Sequence, residues 1–325
     1  MQIDSRQLTA FAVVLREGSF EAAARALHLT PSAVSQRIKA LEERLGRVLI
    51  RRASPCVATE AGESLQRHAQ QLQLLEAQAL APFGLAVPGL AQSASRRGAA
   101  AAGAVEGAAA AAGADAGAAL PLALAVNADS LATWFVPALA ALRERHAVQF
   151  DLHVDDQDHS SALLRQGRVI AAVSAQAAPV QGCKVRPLGR MRYLAVASPA
   201  FVRRHFSHGV AEAAFAQAPC IVFNQKDQLQ ARFLRRLSRR KLDPPHHRVP
   251  STHGFVHAAV QGLGWGMNPD VLVAPLLASG ELVELLPGRF LDVPLYWQHW
   301  SLDAPVLQAL TDAVCTAAEA MLHTR

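Results

Sequence analysis

The sequence predicts an α+β multidomain protein, with a small helical domain at the N-terminus and a larger α/β domain behind it. At 325 residues the chain is too long for one compact core. Apolar residues in the first 80 positions recur with a helical period, whereas from Leu120 onward short apolar runs alternate with helical segments. Between these parts, 14 of the 22 residues from 98 to 119 are alanine and five are glycine. Such a low-complexity stretch predicts a flexible linker.

Composition narrows the class of protein further. Hydrophobic residues make up 51% of the chain and charged residues 18%, which favours packed cores and excludes a largely disordered protein. The formal net charge of +6 favours an anionic partner, although arginine-rich enzymes have similar values. The four cysteines form no CxxC pair, and neither an export signal nor a membrane-spanning run is present. These features predict a cytoplasmic protein with no membrane partner.

The first 46 residues predict three helices in close succession. An apolar stripe from Leu8 ends at Gly18, and Ser19 then starts a second short helix. Thr30 is placed as the N-cap of a third helix with Pro31 at its first position, and this helix ends at Gly46. Two short helices followed by a capped third helix are typical of a helix-turn-helix.

The exposed side of the third helix has the composition of a DNA-reading surface. Short hydroxyl and amide side chains there can reach base edges, and a lysine is suited to phosphate. Val48 to Ile50 predicts a short strand, and the arginines and proline behind it indicate a wing. From Arg25 to Arg52, seven basic residues stand against two acidic ones. The alternative is a three-helix scaffold domain whose charges are merely solvated.

About 60 contiguous positions resemble one family. The string AFAVVLREGSFEAAARALHLTPSAVSQRIKALEERLGRVLIRR, followed by TEAG, is similar to the signature of LysR-type transcriptional regulators. One departure is Ile50, where the family usually has phenylalanine, and this exchange should alter packing more than DNA reading. The resemblance implies base contacts from Pro31, Ser32, Ser35 and Gln36, and phosphate contacts from Arg37, Lys39 and Arg52.

A long helix is predicted after Thr59. Its apolar residues form a narrow stripe with no visible partner in the small domain, which favours pairing with a second chain, as the family resemblance also implies. A helix buried within its own chain is the alternative. The predicted domains are a winged helix-turn-helix (1–59), a dimerisation helix (60–90), a flexible linker (91–119) and an effector domain (120–325).

The segment from Leu120 reads as strands alternating with helices, which predicts a mainly parallel sheet. Ser130 is placed as the cap of the helix after the first strand. The chain crosses between two subdomains near residues 190 and 290, so that subdomain I takes about 120–190 and 295–325 and subdomain II about 191–294. This arrangement resembles the periplasmic-binding-protein-like sensor of the family. Ligands of such sheets lie at the carboxyl ends of strands.

One branch of the family is more similar than the rest. LAVNADSLATWFVPALA, YLAVASPAF, LASGELVEL and PLYWQHW resemble the lysine- and arginine-responsive ArgP branch. A helix N-terminus near Ser130 suits an α-carboxylate, and Asp155 or Asp156 could oppose a cationic side chain. Asp129 as a mere cap and the other two aspartates as solvated loop residues remain alternatives. The predicted effector residues are Asn127, Asp129, Ser130, Thr133, Asp155, Asp156, Ser251, Thr252 and His253.

Three other clusters leave alternatives open. His253 and His257 are one helical turn apart without an identifiable third metal ligand, so a polar helix face is favoured. The run KDQLQARFLRRLSRRKL is either a solvated helix or an auxiliary DNA contact. GLGWGMNP lacks the spacing of a dinucleotide site, and its glycines favour either close packing or a close approach of the backbone to a ligand.

The predicted function is transcription control by a small effector, with a basic amino acid implied by the branch resemblance. No motif predicts a catalytic site, a cofactor or a metal site. The expected partners are double-stranded DNA, the effector and further copies of the chain as a homodimer or homotetramer, with RNA polymerase left open. Activation and repression are not distinguished. The rival is an enzyme or binding protein that uses the α/β domain, with the N-terminal domain as a scaffold.

Overall fold

A computed structural model of the chain describes residues 3–80, 119–154 and 157–324. The predicted N-caps are present, because the Ser19 and Thr30 hydroxyl oxygens accept the backbone N–H groups of Ala22 and Ala33 at 3.1 and 3.2 Å. The N-terminal part consists of three helices and a two-stranded wing: α1 (Ser5–Glu17), α2 (Phe20–Ala26), α3 (Pro31–Leu45), β1 (Ile50–Arg51) and β2 (Val57–Ala58).

The wing is joined to α3 by a carboxylate. Glu42 Oε1 accepts the backbone N–H groups of Leu49 and Ile50 at 2.8 and 3.3 Å. One of the two acidic residues in the basic segment is therefore used to hold the wing in place. Ile50 is only 4% exposed and packs in the N-terminal core.

Helix α4 (Glu60–Leu80) begins where predicted, with the Thr59 hydroxyl accepting the N–H of Gly62 at 3.1 Å. The expectation that it has no partner in its own small domain is wrong, and the alternative of a helix packed within its own chain holds for these contacts. Leu65 and Ala69 pack into the core of the N-terminal helices, and Leu74 packs into the core of the larger domain. The predicted extension of this helix to residue 90 and the predicted linker at 91–119, apart from its last residue, lie outside the described residues.

Arg67 fastens α4 to the larger domain. Its guanidinium donates hydrogen bonds to the carbonyl oxygens of Arg165 at 2.6 Å and Gln181 at 3.0 Å. Gly167 has a φ of +70°, and a Cβ atom there would lie 2.8 Å from the Arg67 Cα atom. Glycine is thus required at this contact both for its backbone conformation and for the close approach of the helix.

The larger domain is built on one seven-stranded sheet with the order β10-β6-β11-β5-β3-β4, and β9 pairs with β6. Its strands are β3 (Leu120–Val126), β4 (Val148–Val154), β5 (Ala171–Ser174), β6 (Cys183–Ala197), β9 (Gly266–Pro269), β10 (Val283–Glu284) and β11 (Phe290–Trp300). A separate parallel pair is formed by β7 (Cys220–Val222) and β8 (His246–Arg248).

The prediction of a mainly parallel sheet is wrong. Only the pairs β3–β4 and β3–β5 are parallel in the large sheet, and the β6 and β11 pairings are antiparallel. These two long strands pair from Phe290↔Leu194 to Trp300↔Cys183. The two predicted crossings between subdomains fall in these neighbouring strands. Because the strands run in opposite directions, the sheet contains both parallel and antiparallel pairs. The division into subdomains at about 190 and 295 stays a prediction.

Within the described ranges 119–154 and 157–324, the larger domain has eight helices. The first, α5, spans 128–143 and contains a π-helical turn at Leu131–Phe135. The others are α6 (Gln157–Arg165), α7 (Pro199–His205), α8 (Glu212–Gln217), α9 (Leu229–Leu237), α10 (Thr252–Val260), α11 (Asp270–Ser279) and α12 (Pro305–Met321). None of the helices in the three described ranges is long and apolar enough to cross a membrane.

Candidate DNA-binding surface and effector cleft

The predicted DNA-reading residues lie on α3 and beside it. The opposite side of α3 is anchored by Ile38, which is 1% exposed. Packing of that side against α1 and α2 leaves the polar face toward solvent. Contact of this face with DNA stays a prediction. Five of the predicted residues are exposed, namely Pro31, Ser32, Gln36, Lys39 and Arg52, and two are half-buried, namely Ser35 and Arg37.

Two of the predicted phosphate contacts have partners within the chain. Lys39 Nζ lies 3.6 Å from Glu43 Oε1, but both side chains are largely exposed, so this ion pair is weak. The Arg52 guanidinium lies 4.7 Å from the centre of the Phe20 ring. This cation–π contact places a cation between the wing and α2. Neither contact prevents the positive charge from meeting a phosphate.

A cleft of about 410 Å³ opens at the end of strand β3, where ligands of such sheets bind. It is lined by residues from distant parts of the larger domain. Its polar lining residues are Asn127, Asp129, Tyr193, Asn224, Lys226, Asp227, Gln228, Arg232, Thr252 and Asn268. Its apolar lining comes from Ala128, Val154, Phe223, Leu229, Phe255, Met267 and Pro269.

The Asp129 carboxylate accepts hydrogen bonds from two other residues that line the cleft. Its Oδ2 atom accepts the Tyr193 hydroxyl at 2.7 Å, and its Oδ1 atom accepts the Thr252 hydroxyl at 2.8 Å. The three residues come from the start of α5, from β6 and from the start of α10. One half-buried carboxylate therefore joins three elements that are far apart in the sequence.

The surroundings of Asp129 leave its charge poorly compensated. Burial raises the pKa of Asp129 above its ordinary value, and the two hydroxyl hydrogen bonds oppose that shift. The negative charge of Asp227 raises this pKa as well. Hydroxyl groups supply dipoles but no positive charge, so a ligand cation entering the cleft would neutralise Asp129.

The other wall of the cleft is the loop between β7 and α9. Asp227 accepts the backbone N–H groups of Phe223 at 2.8 Å and Leu229 at 2.9 Å, which fixes the loop and starts the helix. Asn224 accepts the N–H of Lys226 at 2.8 Å. None of the predicted effector residues lies in this loop, although the loop also follows the carboxyl end of a strand, β7. The rule that selected Asn127 and Asp129 would have found it.

Ser130 and Thr133, which were predicted to bind the effector, do not line the cleft. Asn127, rather than Ser130, caps α5, because its side-chain oxygen accepts the Ser130 N–H at 2.7 Å. The Ser130 hydroxyl is buried and has no hydrogen-bond partner among the described residues. Thr133 donates to the carbonyl of Asp129 at 2.6 Å.

Ser251 and His253 also fall outside the cleft lining. Ser251 caps α10 through the N–H of Gly254 at 3.2 Å, and His253 is exposed on the same helix. Asp155 and Asp156 lie outside the described residues. Of the nine predicted effector residues, Asn127, Asp129 and Thr252 line the cleft, and their contact with an effector stays a prediction.

Both parts of the chain match families of known proteins. Residues 5–63 match the bacterial regulatory helix-turn-helix protein of the lysR family. Residues 115–318 match the LysR substrate binding domain. Together these two matches cover the three helices, the wing, the sheet and the cleft.

Full-length relatives agree with both matches. The transcriptional regulator LysG of Mycobacterium tuberculosis is 46% identical over 98% of this chain and 95% of its own. The crystal structure of ArgP from the same organism is 44% identical, with a TM-score of 0.82 over all of both chains. LysG of Corynebacterium glutamicum with bound effector arginine is 36% identical, with a TM-score of 0.75 over 99% of this chain and 100% of that one. The chain therefore belongs to the LysR family of DNA-binding transcriptional regulators and is not an enzyme.

Proposed function

We propose that this regulator responds to a basic amino acid, arginine or lysine, bound in the cleft around Asp129. The observation that supports this most directly is a half-buried carboxylate whose two side-chain hydrogen-bond donors are both neutral hydroxyl groups. A guanidinium or ammonium group would supply the missing positive charge and further hydrogen bonds. The arginine bound to the similar LysG of Corynebacterium glutamicum supports the same class of effector.

The opposite wall suits the other end of an amino acid. Arg232 and Lys226 line the cleft and offer positive charge to an α-carboxylate, while Asp227 offers negative charge to an α-ammonium group. A zwitterion with a cationic side chain has one group for each of these three kinds of partner. In this proposal Asn127 and Thr252 hold the start of α5 and Asp129 in position.

We further propose that α3 enters the major groove of duplex DNA, with the polar face from Pro31 reading bases. Two copies joined as a homodimer, or four as a homotetramer, would present recognition helices to successive half-sites. RNA polymerase is a further partner that fits a regulator. Because the chain acts on DNA, we place it in the bacterial cytoplasm. The four domains predicted from the sequence are retained in this proposal.

Calorimetry on the full-length protein tests the effector. L-arginine and L-citrulline have nearly the same shape, but citrulline lacks the positive charge. We expect heat of binding with arginine and an affinity for citrulline that is lower by about two orders of magnitude, because leaving the half-buried charge of Asp129 without a partner costs about 3 kcal/mol, the lower end of the range for fully buried pairs. Equal binding of arginine and citrulline, or no binding of arginine and lysine, contradicts the proposal.

A pair of variants locates the binding site. Asp129→Asn keeps the size of the side chain and removes its charge, so we expect arginine binding to fall below detection. Asp303→Asn removes the same charge from an exposed residue outside the cleft lining and should leave the affinity unchanged. DNA affinity without arginine should be unaffected in both variants. A normal arginine affinity in Asp129→Asn would place the effector elsewhere.

A further inference from the structure

The densest run of basic residues lies in the effector domain, in a different domain from the DNA-reading helix. Between residues 232 and 248, seven arginine or lysine residues stand against one acidic residue, Asp243. That excess of six equals the formal net charge of the whole chain, which is +6. We call the exposed part of this segment the basic patch: Arg235, Arg236, Arg239, Arg240, Lys241 and Arg248, all exposed to solvent.

Local structure holds these cations close together. Arg235 and Arg236 lie in the last turn of α9, whose inner face is buried through Phe233 and Leu234. The chain then turns at Ser238, whose side-chain oxygen accepts the N–H of Arg240 at 2.9 Å. Five of the basic residues therefore fall within one helical turn and the short turn that follows it.

Contacts within the chain involve only a part of the basic patch. Arg236 donates to the carbonyl oxygen of Phe290 at 3.1 Å. Within the described residues, no ion pair joins the remaining members of the patch to a carboxylate. The C-terminus of α9 itself attracts cations, but its partial charge is only about half an elementary charge. Mutual repulsion among these side chains is thus a cost that an anionic partner would relieve.

The chemistry of the patch favours a phosphate backbone over a protein. Protein interfaces usually depend on apolar or aromatic anchors. None of the large hydrophobic side chains from residue 229 to 248 is exposed. The patch is composed of arginine with a single lysine, and arginine binds phosphate through several donors at once. This family binds DNA through its N-terminal domain, so a duplex is the polyanion already close to the chain.

We infer that the basic patch is a second, sequence-independent DNA contact on the effector domain. Phosphates outside the bases read by α3 would lie against Arg239, Arg240 and Lys241, so that the duplex follows the surface of both domains. Since α9 also lines the effector cleft through Leu229 and Arg232, occupation of the cleft and contact with flanking DNA share one helix.

The test measures how salt weakens binding of the full-length protein to a random-sequence duplex of about 80 base pairs. Each phosphate neutralised by a cation contributes about 0.9 to the slope of log affinity against log salt. Arg239→Gln/Arg240→Gln should lower that slope by about 2 for each protomer engaged, which is roughly a tenfold smaller loss of affinity between about 50 and 200 mM KCl.

The matched control is Arg203→Gln/Arg204→Gln, which removes two adjacent exposed arginines from the last turn of α7 in the same domain. Its slope should equal that of the wild type. Unchanged arginine binding by Arg239→Gln/Arg240→Gln would show that the domain is intact. An unchanged slope in that variant, as expected if the patch met an acidic protein instead, overturns the inference. Equal decreases in both double variants overturn it as well.

Discussion

The DNA-reading surface and the effector cleft are assembled in opposite ways. All seven predicted DNA contacts lie between Pro31 and Arg52 on one helix and its adjoining wing. The cleft gathers its lining from Asn127 to Pro269, across the large sheet. A surface built from neighbours in sequence is set by helix period and caps, whereas a cleft depends on long-range pairing. Local sequence signals can therefore predict the DNA-reading surface as a whole, but only single elements of the cleft.

Of three substitutions that compare the two regions, at Gln36, Arg67 and Tyr193, the largest expected change in binding affinity is the loss of operator affinity on substitution of Gln36. Gln36→Ala removes an exposed amide that can donate to and accept from a base edge, and it leaves the buried face of α3 unchanged. We expect affinity for the best operator fragment to fall by about 1–3 kcal/mol, with loss of preference at one base pair. Footprinting and anisotropy on a selected operator measure both quantities.

Gln308→Ala is the matched control for this variant, because Gln308 is exposed on α12 of the other domain. It should bind the operator as the wild type does, and both variants should bind arginine normally. If Gln36→Ala weakened every sequence equally, base reading by this residue would be ruled out and a general contact would remain.

Local signals predicted the N-terminal domain well and the cleft only in part. The caps at Ser19 and Thr30 were predicted because a cap is decided within three residues. Asn127 and Ser130 are both cap formers three residues apart, and the choice between them went wrong. A count of charges also could not show that Arg232 faces the cleft, since the face of α9 is set by its packing on distant strands.

Sheet direction was missed for a related reason. Strands β6 and β11 pair along almost their whole length, yet most of a subdomain separates them in the sequence. No hairpin turn joins them, so nothing local indicates an antiparallel pair. The βαβ pattern at the start of the domain is real, because β3 is parallel to both β4 and β5. Extending that pattern to the whole sheet was the error.

The junction at Arg67 tests whether the two regions work as one molecule. Arg67→Met keeps the aliphatic part of the side chain and removes both hydrogen bonds to the larger domain. We expect the separate affinities for DNA and for arginine to change little. The effect of arginine on DNA affinity should fall by about 0.5–2 kcal/mol, since a fixed helix is what lets one domain act on the other.

This coupling is measured by anisotropy of an operator duplex with and without saturating arginine. Arg145→Met removes an exposed arginine from the turn before β4 and should retain full coupling. Full coupling in Arg67→Met as well would mean that the effector signal reaches the DNA by another route, and the two regions would then be linked through a second copy or through the chain connection alone.

The smallest effect, and the sharpest test of how the cleft is assembled, concerns Tyr193. Tyr193→Phe removes only the hydroxyl that donates to Asp129, and that hydrogen bond lowers the pKa of Asp129. Net loss of one hydrogen bond is worth about 0.5–1.5 kcal/mol, so arginine should bind roughly tenfold more weakly at most at neutral pH. A larger loss would indicate that the ring has moved.

The pH dependence distinguishes positioning of a charge from simple packing. In the proposed mode of binding, arginine pairs with the Asp129 carboxylate, so we expect affinity to be highest above the raised pKa of Asp129 and to be lost as the pH falls through it. Without the Tyr193 hydroxyl this pKa rises further, and the loss should therefore begin at a higher pH. Tyr296, the other tyrosine of the chain, is outside the cleft lining, and Tyr296→Phe should keep the wild-type profile. Parallel profiles for Tyr193→Phe and the wild type would mean that the hydroxyl orients nothing, and that Thr252 alone holds the carboxylate toward the ligand.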